Sequence, residues 1–296
     1  MSDLHRILVA TDFSSAGHAA VARGGQLAAR YQAQLMVLHA TPDWTLFSER
    51  ANAHQEYYAN ITRNAEELVR REVVWLAQEY GLTTVRGEVF RERATQAIIR
   101  AVETFQPNLV VVGAGGEHVV LNGESVLGGT ALKLISQVKV PLLLVRNASP
   151  APYTSTLVAV GGDMTIARRL THWASALAGS GTCHVVRAYD APYAKRMRLS
   201  QYDETEIAQS ADEQLRLAQQ DCAALERTME VGRHLTVHTV CGAPVPSVLG
   251  QVRQCAPELV VLGQHQHHVD EPPGGWAAGV GTRVAYHCAT DVLLVP

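Results

Sequence analysis

Two stretches of this sequence have residue types and spacing that could do chemistry. The first is Asn108-Leu109-Val110-Val111-Val112-Gly113-Ala114-Gly115-Gly116, an apolar run that ends in glycines. Bare backbone beyond a buried strand lets another group approach closely, and its amides make a seat for a phosphate. Gly128, Gly129 and Thr130 open a predicted helix whose amino end would add to that seat. Asp12 closes an earlier apolar run and supplies a carboxylate. The second stretch is Gln264-His265-Gln266-His267-His268, with Asp270 and Glu271 close behind. Its imidazoles and carboxylates could ligate zinc or another divalent metal. Against that, no cysteine stands beside His265, His267 and His268, and no helical i, i+4 pair is formed. The reading adopted is therefore a polar, solvent-exposed loop, with zinc not expected. His5, His39, His172 and His184 are scattered and read as ordinary surface or packed histidines.

The elements that must position these residues alternate. Strands are expected at Ile7–Thr11, Leu35–His39, Thr83–Phe90, the run ending at Gly113, and Val140–Val145. Between them fall helices at about residues 16–31, 55–80, 95–105 and 129–138, Ser14 being placed to cap the first. Ile61, Ala65, Leu68, Val69 and Leu76 recur at helical spacing, and Pro107 stops the third helix. Continuous Val/Leu/Ile runs, without polar alternation, are strands covered on both faces, so the architecture is a doubly wound parallel sheet. Such sheets take ligands at the carboxyl ends of their strands, where strand order reverses. Asp12 and Gly113 end two different strands and could converge there.

The pattern occurs twice. Ile7–Asp12 matches Thr156–Gly161, Val37-Leu38-His39-Ala40 matches Val185-Val186-Arg187-Ala188, and Leu109–Gly113 matches Leu259–Gly263, each some 150 residues on. A duplicated domain follows, residues 1–147 and 154–296, joined by a short connector rich in proline. The copies differ where chemistry is expected. Asp12 becomes Gly161, with Asp163 two places later; Gly116 becomes Gln266 and Gly128 becomes Ala278. Glutamine cannot take a left-handed turn cheaply, and Pro272, Pro273 and Trp276 bring bulk where a phosphate would need open amides. The first copy is the candidate site; the second is expected to have filled its hollow with side chains.

Composition narrows the function. A hydrophobic share of 47% with 18% charged residues is globular, and a net charge of −3 provides no basic field for nucleic acid or an anionic membrane. No apolar run approaches the ~20 residues that span a bilayer, and the start lacks a signal-peptide layout. All five cysteines lie in the second half without a CxxC pair, and an odd number fits a reducing cytoplasm. Neither a GxSxG elbow nor a GxxxxGK[ST] loop is present, and no Ser/His/Asp set can be assembled.

Val9-Ala10-Thr11-Asp12-Phe13-Ser14, Leu38-His39-Ala40, Leu109 to Gly116, Leu127-Gly128-Gly129-Thr130 and Val140-Pro141-Leu142-Leu143-Leu144-Val145 together, at these spacings, resemble the universal stress protein family in its tandem two-domain form. The resemblance implies two five-stranded α/β domains of strand order 3-2-1-4-5, dimeric in most members and ATP-binding in many. The family's nucleotide motif is Gly, two residues, Gly, nine residues, Gly, then Ser or Thr. Here Gly113 and Gly116 keep the first gap, but eleven residues, Glu117 to Leu127, separate Gly116 from Gly128. Gly129 stands where Ser or Thr is usual, with Thr130 one place later. By the same resemblance Asp12 would reach the ribose or a bound Mg²⁺, and Ala40, after the second strand, would meet adenine through its backbone. Glu117 and Glu124 would repel phosphate unless a cation intervenes.

The expectation is a cytoplasmic stress-response protein whose first domain binds or senses ATP, with at most slow hydrolysis, and whose occupancy would order the Gly113–Thr130 loop. Two rivals stay open. One is a nucleotide-free interaction scaffold, in which the glycines are turn residues and Asp12 caps the first helix. The other is a metal-responsive module using the His265–Glu271 loop. Val140–Val145 and Thr290–Val295 are apolar edge strands, so a homodimer or pairing between the halves is expected.

Overall fold

The computed structural model describes residues 4–42, 55–115, 120–121, 124–125, 127–146, 151–179, 181–189, 204–227, 235–264 and 279–296. One compact unit runs from Asp3 to Ala151 and the other from Pro152 to Val295. In the first, the apolar runs become β1 (Arg6–Ala10), β2 (Gln34–Thr41), β3 (Val85–Arg91), β4 (Leu109–Gly113) and a last strand, β7 (Leu142–Val145). The helices between them are α1 (Ser15–Tyr31), α2 (Gln55–Tyr80), α3 (Ala94–Phe105) and α4 (Gly129–Gln137). Two short strands, β5 (Val120–Leu121) and β6 (Glu124–Ser125), pair antiparallel in the segment expected to be loop throughout.

All five long strands pair parallel in the order β3-β2-β1-β4-β7. Ile7, Leu8 and Val9, like Leu109, Val110 and Val111, are completely buried one after another. Only a sheet covered on both faces does that. Contacts of α1 with α2, and of α3 with α4, place one helix pair on each face, as right-handed crossovers running opposite ways from β1 require. Between β1 and β4 the strand order reverses, which opens the crevice at their carboxyl ends.

Local chemistry sets the boundaries. The Ser14 hydroxyl caps α1 by accepting from Gly17 N at 3.1 Å, so the cap is Ser14 and not Asp12. Strand β2 runs past His39, because Ala40 and Thr41 pair with Phe90 and Arg91 of β3. Ala40 therefore lies within the strand, not after it.

The second unit repeats the plan. It comprises β8 (Ser155–Val160), α5 (Met164–Ala178), β9 (Thr182–Tyr189), α6 (Glu204–Glu226), β10 (Leu235–Cys241), α7 (Pro244–Cys255), β11 (Leu259–Gly263), α8 (Val280–His287) and β12 (Asp291–Val295). Its parallel order is β10-β9-β8-β11-β12. Both units thus have the doubly wound 3-2-1-4-5 arrangement read from the sequence. Asp291, fully buried at the start of β12, accepts a 2.6 Å hydrogen bond from the Tyr153 hydroxyl.

Candidate functional site

At the carboxyl ends of β1, β2 and β4 the first unit opens into a cleft of about 530 Å³, counting the solvent space at its mouth. The cleft brings together Asp12, Ala40, Gly113 and Thr130 of the residues singled out from sequence. Gly128 and Gly129 sit beside Thr130 at the head of α4 without lining the cleft. Gly116 lies outside the described residues.

The Asp12 carboxylate is held by the head of α1. Its Oδ1 accepts from Ser14 N at 3.0 Å and from the Ser14 hydroxyl at 2.5 Å. Phe13, between them, has φ 63, a left-handed conformation that costs a non-glycine residue about 1–3 kcal/mol. The Phe13 amide donates to Thr11 Oγ1 at 3.0 Å, which supports the turn. This tight turn depends on Gly17. A Cβ there would stand 2.6 Å from Asp12 Oδ1 and 2.8 Å from Thr11 Oγ1, so a bare residue is what leaves the carboxylate its place.

His39 lies on the same wall, which its reading as an ordinary packed or surface histidine did not foresee. Its Nδ1 donates to the Thr11 carbonyl at 2.8 Å, and its ring stacks on Phe13 with centroids 4.3 Å apart. Burial holds its pKa below the usual histidine value, opposed by the Thr11 bond and the Asp12 charge. At neutral pH the imidazole is thus uncharged, with Nε2 as an acceptor. Thr11, Phe13, Gly17 and His39 were all missed as site residues. The signal for them was their place beside Asp12 and Ala40 at two strand ends.

Gly113 has a packing reason for being glycine. A Cβ there would meet the backbone carbon and oxygen of Ala16 at 2.8 Å, because the first turn of α1 presses on the end of β4. Ala114 N donates to Val145 O at 2.9 Å and Gly128 N to Ala114 O at 2.8 Å. These bonds fix both ends of the segment between β4 and α4. Gly128 is the N-cap of α4 and offers no side chain to its first amides, so that helix end suits an anion. Among the described residues that line the cleft, Asp12 and His39 are the titratable groups and none is Lys or Arg. A phosphate here would rest on backbone amides or on a cation held by Asp12.

The universal stress protein family model matches residues 4–146 and again 152–296. The chain belongs to the universal stress protein family. Among solved structures, a universal stress protein from Archaeoglobus fulgidus DSM 4304 superimposes with a TM-score of 0.65 at 17% identity, covering 99% of this chain and 98% of that one. A functionally unknown protein, PA1789, from Pseudomonas aeruginosa PAO1 does so with a TM-score of 0.60 at 18% identity, covering 99% and 92%. No curated protein matches the chain. Among the described residues, no helix of this universal stress protein is long and apolar enough to cross a membrane.

The second unit has its own cleft at the matching strand ends, of about 670 Å³ with its solvent space. Gln266, Pro272, Pro273, Trp276 and Ala278, the residues expected to fill this hollow, lie outside the described residues. Among the described residues its chemistry differs from that of the first cleft. Gly161 replaces Asp12, Ile166 replaces Gly17, and Arg187 replaces His39. Asp163 caps α5 through Thr165 N and Ile166 N at 2.8 and 3.2 Å. Arg187 Nε lies 3.4 Å from Asp221 Oδ2.

The sequence candidates for a metal, His265, His267 and His268 with Asp270 and Glu271, also lie outside the described residues. Among the described ones, His184, His238 and Cys255 form the group able to hold an ion.

Proposed function

We propose that this universal stress protein binds ATP in the first-unit cleft, with Mg²⁺ between Asp12 and the phosphates, and acts in the cytoplasm as a stress-response protein whose state is read by protein partners. The observation that carries the reading is the convergence of Asp12, Ala40, Gly113 and Thr130 on one cleft at the strand-order reversal. In this reading the Ala40 backbone meets the adenine. The ribose or the metal takes Asp12, and the phosphates lie toward Gly113, Gly115 and the uncapped amino end of α4, with Gly116, Gly128 and Gly129 part of the same turn. In this reading the site holds nucleotide and at most hydrolyses it slowly. Titration of the full chain with ATP by calorimetry, with and without Mg²⁺, tests this. Saturable binding that weakens without Mg²⁺ and in Asp12→Asn supports it. Silence at millimolar nucleotide replaces it with the scaffold reading, which the packing role of Gly113 favours.

A further inference from the structure

We propose that the second unit carries a metal site for one zinc-like divalent ion, held by Nδ1 of His184, Nε2 of His238 and Sγ of Cys255. None of its ligands lines either cleft or belongs to the His265–Glu271 segment.

Three elements supply the ligands. Strand register pairs His184 with Thr236, so His238, two residues further along β10, lies on the same face of the sheet as His184. Helix α7 packs over β9, and Cys255 is its last residue. His238 Nε2 occupies the middle, 3.2 Å from His184 Nδ1 and 3.7 Å from Cys255 Sγ. All three ligating atoms lie within 4.8 Å of one another. A tetrahedral zinc with ordinary Zn–N and Zn–S bonds sets its ligands about 3.3 Å (N to N) and about 3.6 Å (N to S) apart. The two measured separations are close to these before any ion is placed. Each of the three side chains is half-buried, so an ion can enter.

The fold does not require these groups. In the first unit the matching positions hold Met36 on β2, Glu88 on β3 and Phe105 at the end of α3. Met36 and Phe105 are buried there, and the Phe105 ring receives the Arg86 guanidinium at 5.0 Å. The same corner thus holds two buried apolar side chains and a Glu88 paired with Arg86 at 3.5 Å in one unit, and two imidazoles and a thiol in the other.

Burial raises the Cys255 thiol, and burial together with His238 lowers His184. Binding the ion displaces the Cys255 proton to solvent and leaves a thiolate–metal bond. The Cys255 thiol now points to Gln251 Oε1 at 3.7 Å. Once it is a thiolate, that amide must turn to present its NH₂ to the sulfur. Three protein ligands leave the fourth position to water. The ion would fasten the edge strand β10 to β9 and to α7.

The test uses the full chain without a His tag, titrated with Co²⁺ and then back-titrated with Zn²⁺. A thiolate-to-cobalt charge-transfer band that saturates at about one equivalent and is displaced by zinc is the expected result. The band should vanish in Cys255→Ser and His238→Gln, and persist when His265, His267 and His268 are all replaced by Gln. His184→Met, which imports the first unit's residue, should keep the circular dichroism of the parent and lose the band, so loss of folding is distinguished from loss of a ligand. Absence of the band in the parent protein, or its survival in Cys255→Ser, overturns the proposal.

Discussion

At the turn after its first strand, the first unit sets a carboxylate, Asp12, against a bare Gly17; the second sets a bare Gly161 against Ile166. Each pair is self-consistent. With Asp12 present, a Cβ at position 17 would stand 2.6 Å from its Oδ1. With the carboxylate gone, a Cβ addition at Gly161 meets nothing within 4 Å, and Ile166, partly exposed, lines the cleft. The neighbouring His39 and Arg187 change in the same comparison, from a neutral acceptor to a fixed cation. The two clefts lie at the carboxyl ends of matching strands. What diverged after duplication is the chemistry of one turn, and it diverged as a coupled set.

The packing side of the comparison is the easiest to break. Gly113→Ala should destabilise the first unit by about 1–3 kcal/mol, because its Cβ would meet Ala16 backbone, which cannot step aside as a flexible side chain could. Gly263→Ala should change stability by less than about 0.5 kcal/mol, its nearest neighbour being Ile166 Cγ2 at 3.6 Å. Urea midpoints of the two variants measure this. Equal losses would mean that α1 and α5 press on their sheets alike, and Gly113 would then regain an explanation in ligand binding alone.

Next in size is the coupling itself. Gly17→Ile copies the second unit's residue into the first and displaces the Asp12 carboxylate. ATP affinity should fall at least tenfold, about 1.4 kcal/mol, whereas Ile166→Gly should leave the first unit's titration unchanged. Calorimetry on the full chain decides, and unchanged affinity in Gly17→Ile would move the nucleotide away from Asp12. A smaller effect separates the helix caps. Ser14→Ala and Asp163→Ala should each cost about 1 kcal/mol in thermal or urea unfolding. Only Ser14→Ala should also weaken nucleotide binding, because Ser14 alone both caps its helix and holds a site carboxylate.

How far the sequence disclosed this follows from the range of each interaction. The strands were legible because Ile7–Val9 and Leu109–Val112 are continuous apolar runs, and the cap because Ser14 precedes a helical pattern directly; these are local signals. The domain repeat was legible from offsets alone. Gly113 was noticed for a different reason from the one the coordinates provide, since a glycine reads the same whether an anion or a neighbouring helix approaches it. Gly17 facing Asp12 needed the turn conformation at Phe13, which no propensity for phenylalanine suggests. His39 looked ordinary because its partners, Thr11 and Phe13, come from another strand end. His184, His238 and Cys255 lie too far apart to form a short motif. Aligning the two halves and finding Met36, Glu88 and Phe105 in their places was the available clue.

The finest test of the comparison is pH. In the unfolded chain His39 titrates near 6.5, and in the folded chain burial holds it below that. Between the two values the unfolded chain binds more protons than the folded one, so acid favours unfolding. His39 therefore contributes stability that is complete above pH 6.5 and is lost as pH falls through the lowered value. The second cleft has Arg187 in place of this histidine, so it has no counterpart. Residue-resolved NMR titration should find the His39 midpoint below 6.5, and His39→Gln should flatten the acid limb of the first unit's unfolding curve. His184 is also lowered, but by burial and His238, and its signal titrates separately. Added nucleotide sharpens the result, because phosphate beside His39 favours the imidazolium and should raise the midpoint. A His39 midpoint that ATP leaves in place, while binding is seen by calorimetry, would put the phosphates on the far side of the cleft, toward Thr130.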